Sequence, residues 1–151
     1  MVLKGWFFMI DQFRGKYYFL SNFYSSPVYY RGMTFQNAEA AFHSQKDPSR
    51  ATEFTRLNPS EAKRLGRRVH LRRDWEEVKD DIMFEVVLAK FSGSQSLADA
   101  LLSTGDEKLI EGNTWNDHYW GVCDGKGLNK LGSILERVRD NLRMLRKDSK
   151  N

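Results

Sequence analysis

The chain has 151 residues, 40% of them apolar and 29% charged, which suits a globular domain with its own core and excludes a disordered or low-complexity chain. Its formal net charge of +4 is a mild bias toward phosphate-bearing partners, nucleic acid included. The lone cysteine, Cys123, excludes an internal disulfide and a thiolate zinc site and points to a reducing, cytoplasmic setting.

The apolar opening, residues 1–10 with Trp6, Phe7 and Phe8, is too short for a signal-peptide core or a membrane span and reads as a first strand. Residues 17–20 and 28–30 are β-prone runs parted by Ser21, Asn22, Ser25, Ser26 and Pro27, and Gly32 makes a turn before Thr34. Beyond that the pattern is helical. Thr34 is expected to cap a helix running to about Lys46. Asp47-Pro48 resembles a stop followed by a new start, and Asn58-Pro59-Ser60-Glu61 has the form of a capping box. Asp74 opens a long helix to about Phe91, with Trp75, Val78, Ile82, Val86 and Ala89 at helical spacing. A short helix over 96–103 and a short strand over 109–111 follow. Residues 112–127 are irregular and rich in Gly, Asn, Asp and aromatics. The last helix is amphipathic through Leu131, Ile134, Leu135, Val138, Leu142 and Leu145. With no repeat or linker, this predicts an α+β fold: one mostly helical domain over 1–151 with a small N-terminal β-sheet.

Three clusters carry polar side chains suited to chemistry. On a helix over 34–46, Glu39 and Lys46 are seven residues apart and fall within about 20° of each other at the edge of a stripe made by Phe35 and Phe42. Groups so placed tend to be partly desolvated and shifted in pKa; the alternative is a solvated surface pair. His43, one turn past Glu39, hints at a metal, but no second ligand set stands near it, and neither metal nor cofactor is expected. The loop Asn116-Asp117-His118-Tyr119-Trp120-Gly121 sets a carboxylate beside two rings, and Gly121, Gly125 and Gly127 allow close backbone approach to a ligand. Lys126 and the start of the last helix after Asn129 offer a phosphate site. Ser21-Asn22-Phe23 fits a turn or a ring-stacking site. Arg67, Arg68, Arg72 and Arg73 form a basic cluster whose simplest reading is a solvated surface.

Taken in order, the motifs Leu20-Ser21-Asn22-Phe23, Glu39 with Gln45-Lys46, Ala62-x-x-x-Gly66-Arg67, Leu71-Arg72-x-x-Trp75-x-x-Val78-Lys79, Leu88-Ala89-Lys90-Phe91, Leu109-Ile110-Glu111, Asn116-Asp117-x-Tyr119-Trp120-Gly121 and Asp124-Gly125-x-Gly127-x-Asn129-x-Leu131-Gly132 resemble the YbiA-like, or NADAR, family over nearly the whole chain. The resemblance implies N-glycoside hydrolysis. Two substrate classes follow from it: phosphoribosylamino-pyrimidine intermediates of riboflavin synthesis, or ADP-ribose on guanine in nucleic acid. A third reading is a non-catalytic module that binds nucleotides or ADP-ribose. The resemblance also implies a catalytic region of Glu39, Lys46, Asp117 and Trp120. The expected substrate contacts are Ser21, Asn22, Phe23, Arg67, Trp75, Asn116, Tyr119, Gly121, Lys126 and Asn129. The expected partner is a small phosphoribosyl or ADP-ribosyl molecule or ADP-ribosylated nucleic acid, and not a membrane.

Overall fold

The computed structural model describes residues 9–150. They form short strands and a larger helical part, an α+β arrangement, in two compact units: Asn22–Ser94, and the residues up to Ser21 with those from Gln95 onward. No helix among them is long and apolar enough to cross a membrane.

The unit Asn22–Ser94 opens on a β-hairpin. Strands β2 (Ser25–Tyr30) and β3 (Met33–Asn37) pair antiparallel, with Val28 opposite Phe35 and Tyr30 opposite Met33. Val28 and Phe35 are fully buried while Tyr29 and Thr34 face outward, the alternation of a strand pair with one face on a core. The connection is only Arg31-Gly32, both at positive φ (49° and 80°), as a type I′ hairpin turn requires. Residues after that turn must therefore return as a strand. The helix expected from Thr34 instead starts after Asn37, whose side chain accepts the Ala40 N–H at 2.7 Å. That cap satisfies one of the orphan donors of helix α1 (Ala38–Ser44).

A 3₁₀ helix follows at Pro48–Arg56, with Asp47 before it and Pro48 at its first position. The Asp47 carboxylate accepts from the Ser49 hydroxyl rather than capping the backbone. Helix α2 (Pro59–Gly66) starts on the expected capping box: Asn58 accepts the Glu61 N–H, and Glu61 accepts the Asn58 N–H, each at 2.9 Å. Helix α3 (Trp75–Ser92) buries Trp75, Ile82, Met83, Val86, Val87 and Phe91. Asp74 precedes it without capping, because Arg72 holds the carboxylate at 2.6 Å.

In the other unit, β1 (Met9–Ile10) pairs parallel with β4 (Lys108–Leu109); the rest of the strand expected over 1–10 lies outside the described residues. The run expected as a strand over 17–20 is a 3₁₀ helix, Gly15–Leu20. Its backbone closes locally, Tyr17 N–H on the Arg14 carbonyl and Ser21 N–H on that of Tyr18, and only Leu20 is fully buried; aromatic content alone does not make a strand when the chain satisfies its backbone locally. Helix α4 (Gln95–Ser103) and the long helix α5 (Lys130–Ser149) complete the unit. α5 buries Leu131, Ile134, Leu135, Val138 and Leu142, but Leu145 is exposed, since the core stripe ends a turn earlier than its periodicity suggests.

Candidate active site

In the unit Asn22–Ser94 the side chains of interest converge on helix α1. Glu39 stands in its first turn, and its N–H donates to the Asn22 carbonyl at 3.1 Å. Asn22 is itself buried, its amide reaching the Met83 sulfur at 3.4 Å, so the turn after Leu20 fixes where the helix begins. One turn on, His43 meets the Glu39 carboxylate, Nε2 to Oε2, at 3.0 Å. Among the described residues no three His, Cys, Asp or Glu gather as a ligand group.

Lys46 lies just past the helix rather than on it. That turn is held by the Arg72 N–H, which donates to the Lys46 carbonyl at 2.9 Å, by the Arg72 guanidinium, which donates to the Gln45 carbonyl at 3.4 Å, and by Arg31, which donates to the Gln45 side-chain oxygen at 3.1 Å. Lys46 Nζ sits 5.7 Å from the centre of the Trp75 ring, within cation–π range. Trp75 is buried and lies against Phe42, ring centres 5.1 Å apart. Burial pulls the Lys46 amine below its ordinary range; Glu39 opposes this, and the charges of Arg67, Lys63 and Lys79 add to it. Arg67 is exposed at the end of α2. Lys63 and Lys79, absent from the sequence-based set, thus join Arg67 and Lys46 as a cationic group. Their positions on two helices leave no local signal in the sequence. Phe23 is half-buried in this unit.

In the other unit the loop after β4 is built around Asp117. One carboxylate oxygen accepts the N–H groups of Tyr119 at 3.0 Å and Trp120 at 2.9 Å. Its own N–H donates to the Asn113 side-chain oxygen, and the Asn113 amide returns to the Asp117 carbonyl, both at 3.0 Å. The Tyr119 and Trp120 rings meet edge to face, centres 4.8 Å apart. Asn116 adopts φ 67° and its side-chain oxygen lies 2.7 Å from His118 Nε2. Ser21 is half-buried, with its N–H on Tyr18.

Several members of the sequence-based set have structural duties here. Gly121 is buried because the Glu111 side chain and backbone fill the place of a Cβ. Asn129 is buried, accepting the Glu111 N–H at 3.0 Å and donating to the Leu109 carbonyl at 2.9 Å. The start of α5 does not stand open to a phosphate as expected: the N–H groups of Lys130 and Leu131 are taken by the carbonyls of Tyr119 and Trp120. Lys126 is exposed, in the turn that pairs it with Cys123.

A small α+β fold with a histidine-held glutamate, a partly desolvated lysine and an aspartate caught in a turn beside two rings is the frame into which comparison with known proteins falls. The NADAR domain family matches residues 7–143, and the chain belongs to that family. N-glycosidase YbiA of Escherichia coli is 39% identical over 81% of this chain and 79% of its own length. A riboflavin biosynthesis protein of Vibrio vulnificus is 35% identical over 82% of this chain and 35% of its own length. The NMR structure of the E. coli protein YbiA matches with a TM-score of 0.81 at 35% identity, over 91% of this chain and 87% of that one. By these relatives the chain is an enzyme of the N-glycosidase class.

Proposed function

We propose that the chain hydrolyses the N-glycosidic bond between a ribose phosphate and a base, with a phosphoribosylamino-pyrimidine as substrate. The observation that carries this reading is the environment of Glu39: a carboxylate one bond from a buried histidine, beside a lysine whose ammonium is disfavoured by burial. The N-glycosidase name of one relative and the riboflavin-biosynthesis name of another, each matching most of this chain, support it.

The chemistry sets the roles. As the C1′–N bond breaks, positive charge builds on C1′ and the ring oxygen, and the leaving nitrogen needs a proton. Water supplies the new C1′–O bond, and one of its protons ends on the base. Asp117, fixed by two backbone N–H groups, acts as the rigid carboxylate that stabilises the cation; immobility is what such a group contributes. Glu39 transfers the proton. Phe23 and Trp75 are the candidate rings for the base or ribose in the unit Asn22–Ser94, and Tyr119 and Trp120 those in the other unit. Arg67, with Lys63, takes the phosphate; Lys126 is a second candidate.

A second route is favoured by the depressed Lys46 pKa. The neutral amine attacks C1′, the base leaves with a proton, and the ribose opens to an imine that water hydrolyses, returning Lys46 and free ribose phosphate. One experiment with three arms tests the reading. Incubation with the phosphoribosylamino-pyrimidine should release base and ribose 5-phosphate in equal amounts. Borohydride added during turnover should leave the sugar on Lys46 only if the second route operates. An oligonucleotide carrying ADP-ribosyl-guanine should be a poor substrate. Exclusive turnover of that oligonucleotide, falling steeply with salt, would overturn the choice of substrate in favour of ADP-ribose removal from nucleic acid. Nucleotide binding with no product from either probe would overturn hydrolysis altogether.

A further inference from the structure

We propose that His43 is a positioning residue for Glu39, holding one carboxylate oxygen so that the other is presented to the substrate; this rests on the role given to Glu39 above. The two side chains are one helical turn apart, with side-chain exposures of 9% and 12%. Their bond of 3.0 Å is the side-chain hydrogen bond made by the Glu39 carboxylate among the described residues.

The other ring nitrogen gives the second half of the argument. His43 Nδ1 is buried and has no hydrogen-bond partner among the described residues. It lies against Gly66, where an added Cβ would come within 2.5 Å of it. An ionised carboxylate can only accept, so a neutral ring facing it carries its N–H on Nε2. Nδ1 is then a bare lone pair, and an unmatched acceptor is better tolerated in a core than an unmatched N–H. The glycine thus admits the ring, the Phe42 edge contact at 5.3 Å confines it, and the single N–H is left to fix Glu39. The ring is oriented for the benefit of the atom at its other end.

Holding a proton-transfer group in place acts on the rate of the bound complex, and a displacement of about 1 Å can cost on the order of 10²-fold. His43→Leu, His43→Gln and Gly66→Ala, each checked for folding by circular dichroism, should be compared with Glu39→Gln on the phosphoribosylamino-pyrimidine. His43→Leu should lower kcat about 10- to 100-fold with KM nearly unchanged. His43→Gln, whose amide can restore a donor to Glu39, should recover most of the loss. Gly66→Ala should slow the enzyme in the His43 background and add nothing to His43→Leu. Wild-type kcat in His43→Leu, with Glu39→Gln inactive, overturns the proposal and leaves the role of Glu39 standing. So does a folded His43→Gln as slow as His43→Leu. Wild-type turnover in Glu39→Gln instead overturns the role of Glu39, and this proposal with it. Independently of any substrate, long-range ¹⁵N spectra of the wild-type protein should show the Nε2–H tautomer at His43; an Nδ1–H tautomer overturns the proposal.

Discussion

Lys90 shows how far single residues in this protein depart from the habits of their type. It is a lysine with 1% of its surface exposed, its ammonium 5.0 Å from the centre of the Phe91 ring and 5.6 Å from that of Tyr24. Burial pulls its pKa from 10.5 down to about 7. The unfolded chain keeps the proton up to the ordinary value, while the folded chain gives it up near 7. Between those values the unfolded state binds more protons, so this residue's contribution to stability rises with pH. Below about 7 both states are protonated and the cost of burying the charge is felt in full. Denaturation midpoints at pH 7 and pH 9 should therefore climb more in the wild type than in Lys90→Met; equal climbs would show that Lys90 is not the source. Lys46 is depressed in the same sense, by burial and by neighbouring cations, with Glu39 opposing the shift.

At the scale of elements, caps and turns decide where helices begin. The capping box at Asn58 and Glu61 sits on an exposed helix start, so Asn58→Ala should lower stability by about 1 kcal/mol, read as a lower urea midpoint at unchanged slope. An unchanged midpoint would mean that α2 is held by its buried face alone. This cap was legible in the sequence because its grammar is local, and so were α3 and α5, whose apolar periodicity runs over several turns. The return strand β3 was not. Thr34 has the side chain of a cap, and only the I′ geometry at Arg31 and Gly32, a property of backbone angles, shows that Asn37 is the true one. Glu39 and Lys46 stood out by spacing even though the helix between them ends at Ser44. His43 was visible only as a candidate ligand, since a sequence does not show that its ring turns along the helix to the carboxylate four residues back. Lys63 and Lys79 were hidden because what groups them is tertiary. Around Asp117 the motif marked the place, while its physical content, one carboxylate oxygen taking two backbone donors, is seen only in three dimensions.

For the molecule as a whole, the excess of positive charge is less available than the composition suggests. Arg139, in the basic last helix, is buried and donates to the Thr104 hydroxyl at 2.8 Å. Arg143 pairs with Asp106 and Asp140, and Arg146 with Asp99. Arg72 pairs with Asp74. These cations have local partners, while Arg67, Arg68 and Arg73 of the basic cluster are exposed. The proposed hydrolysis assigns different work to two carboxylates, Glu39 moving a proton and Asp117 stabilising charge. The most direct test is steady-state turnover of Glu39→Gln and Asp117→Asn on the phosphoribosylamino-pyrimidine, both proteins folded and at matched concentration. Each substitution keeps the shape and removes the charge, and each should lower kcat by about 10²- to 10⁴-fold; turnover near the wild-type rate in both would contradict the account.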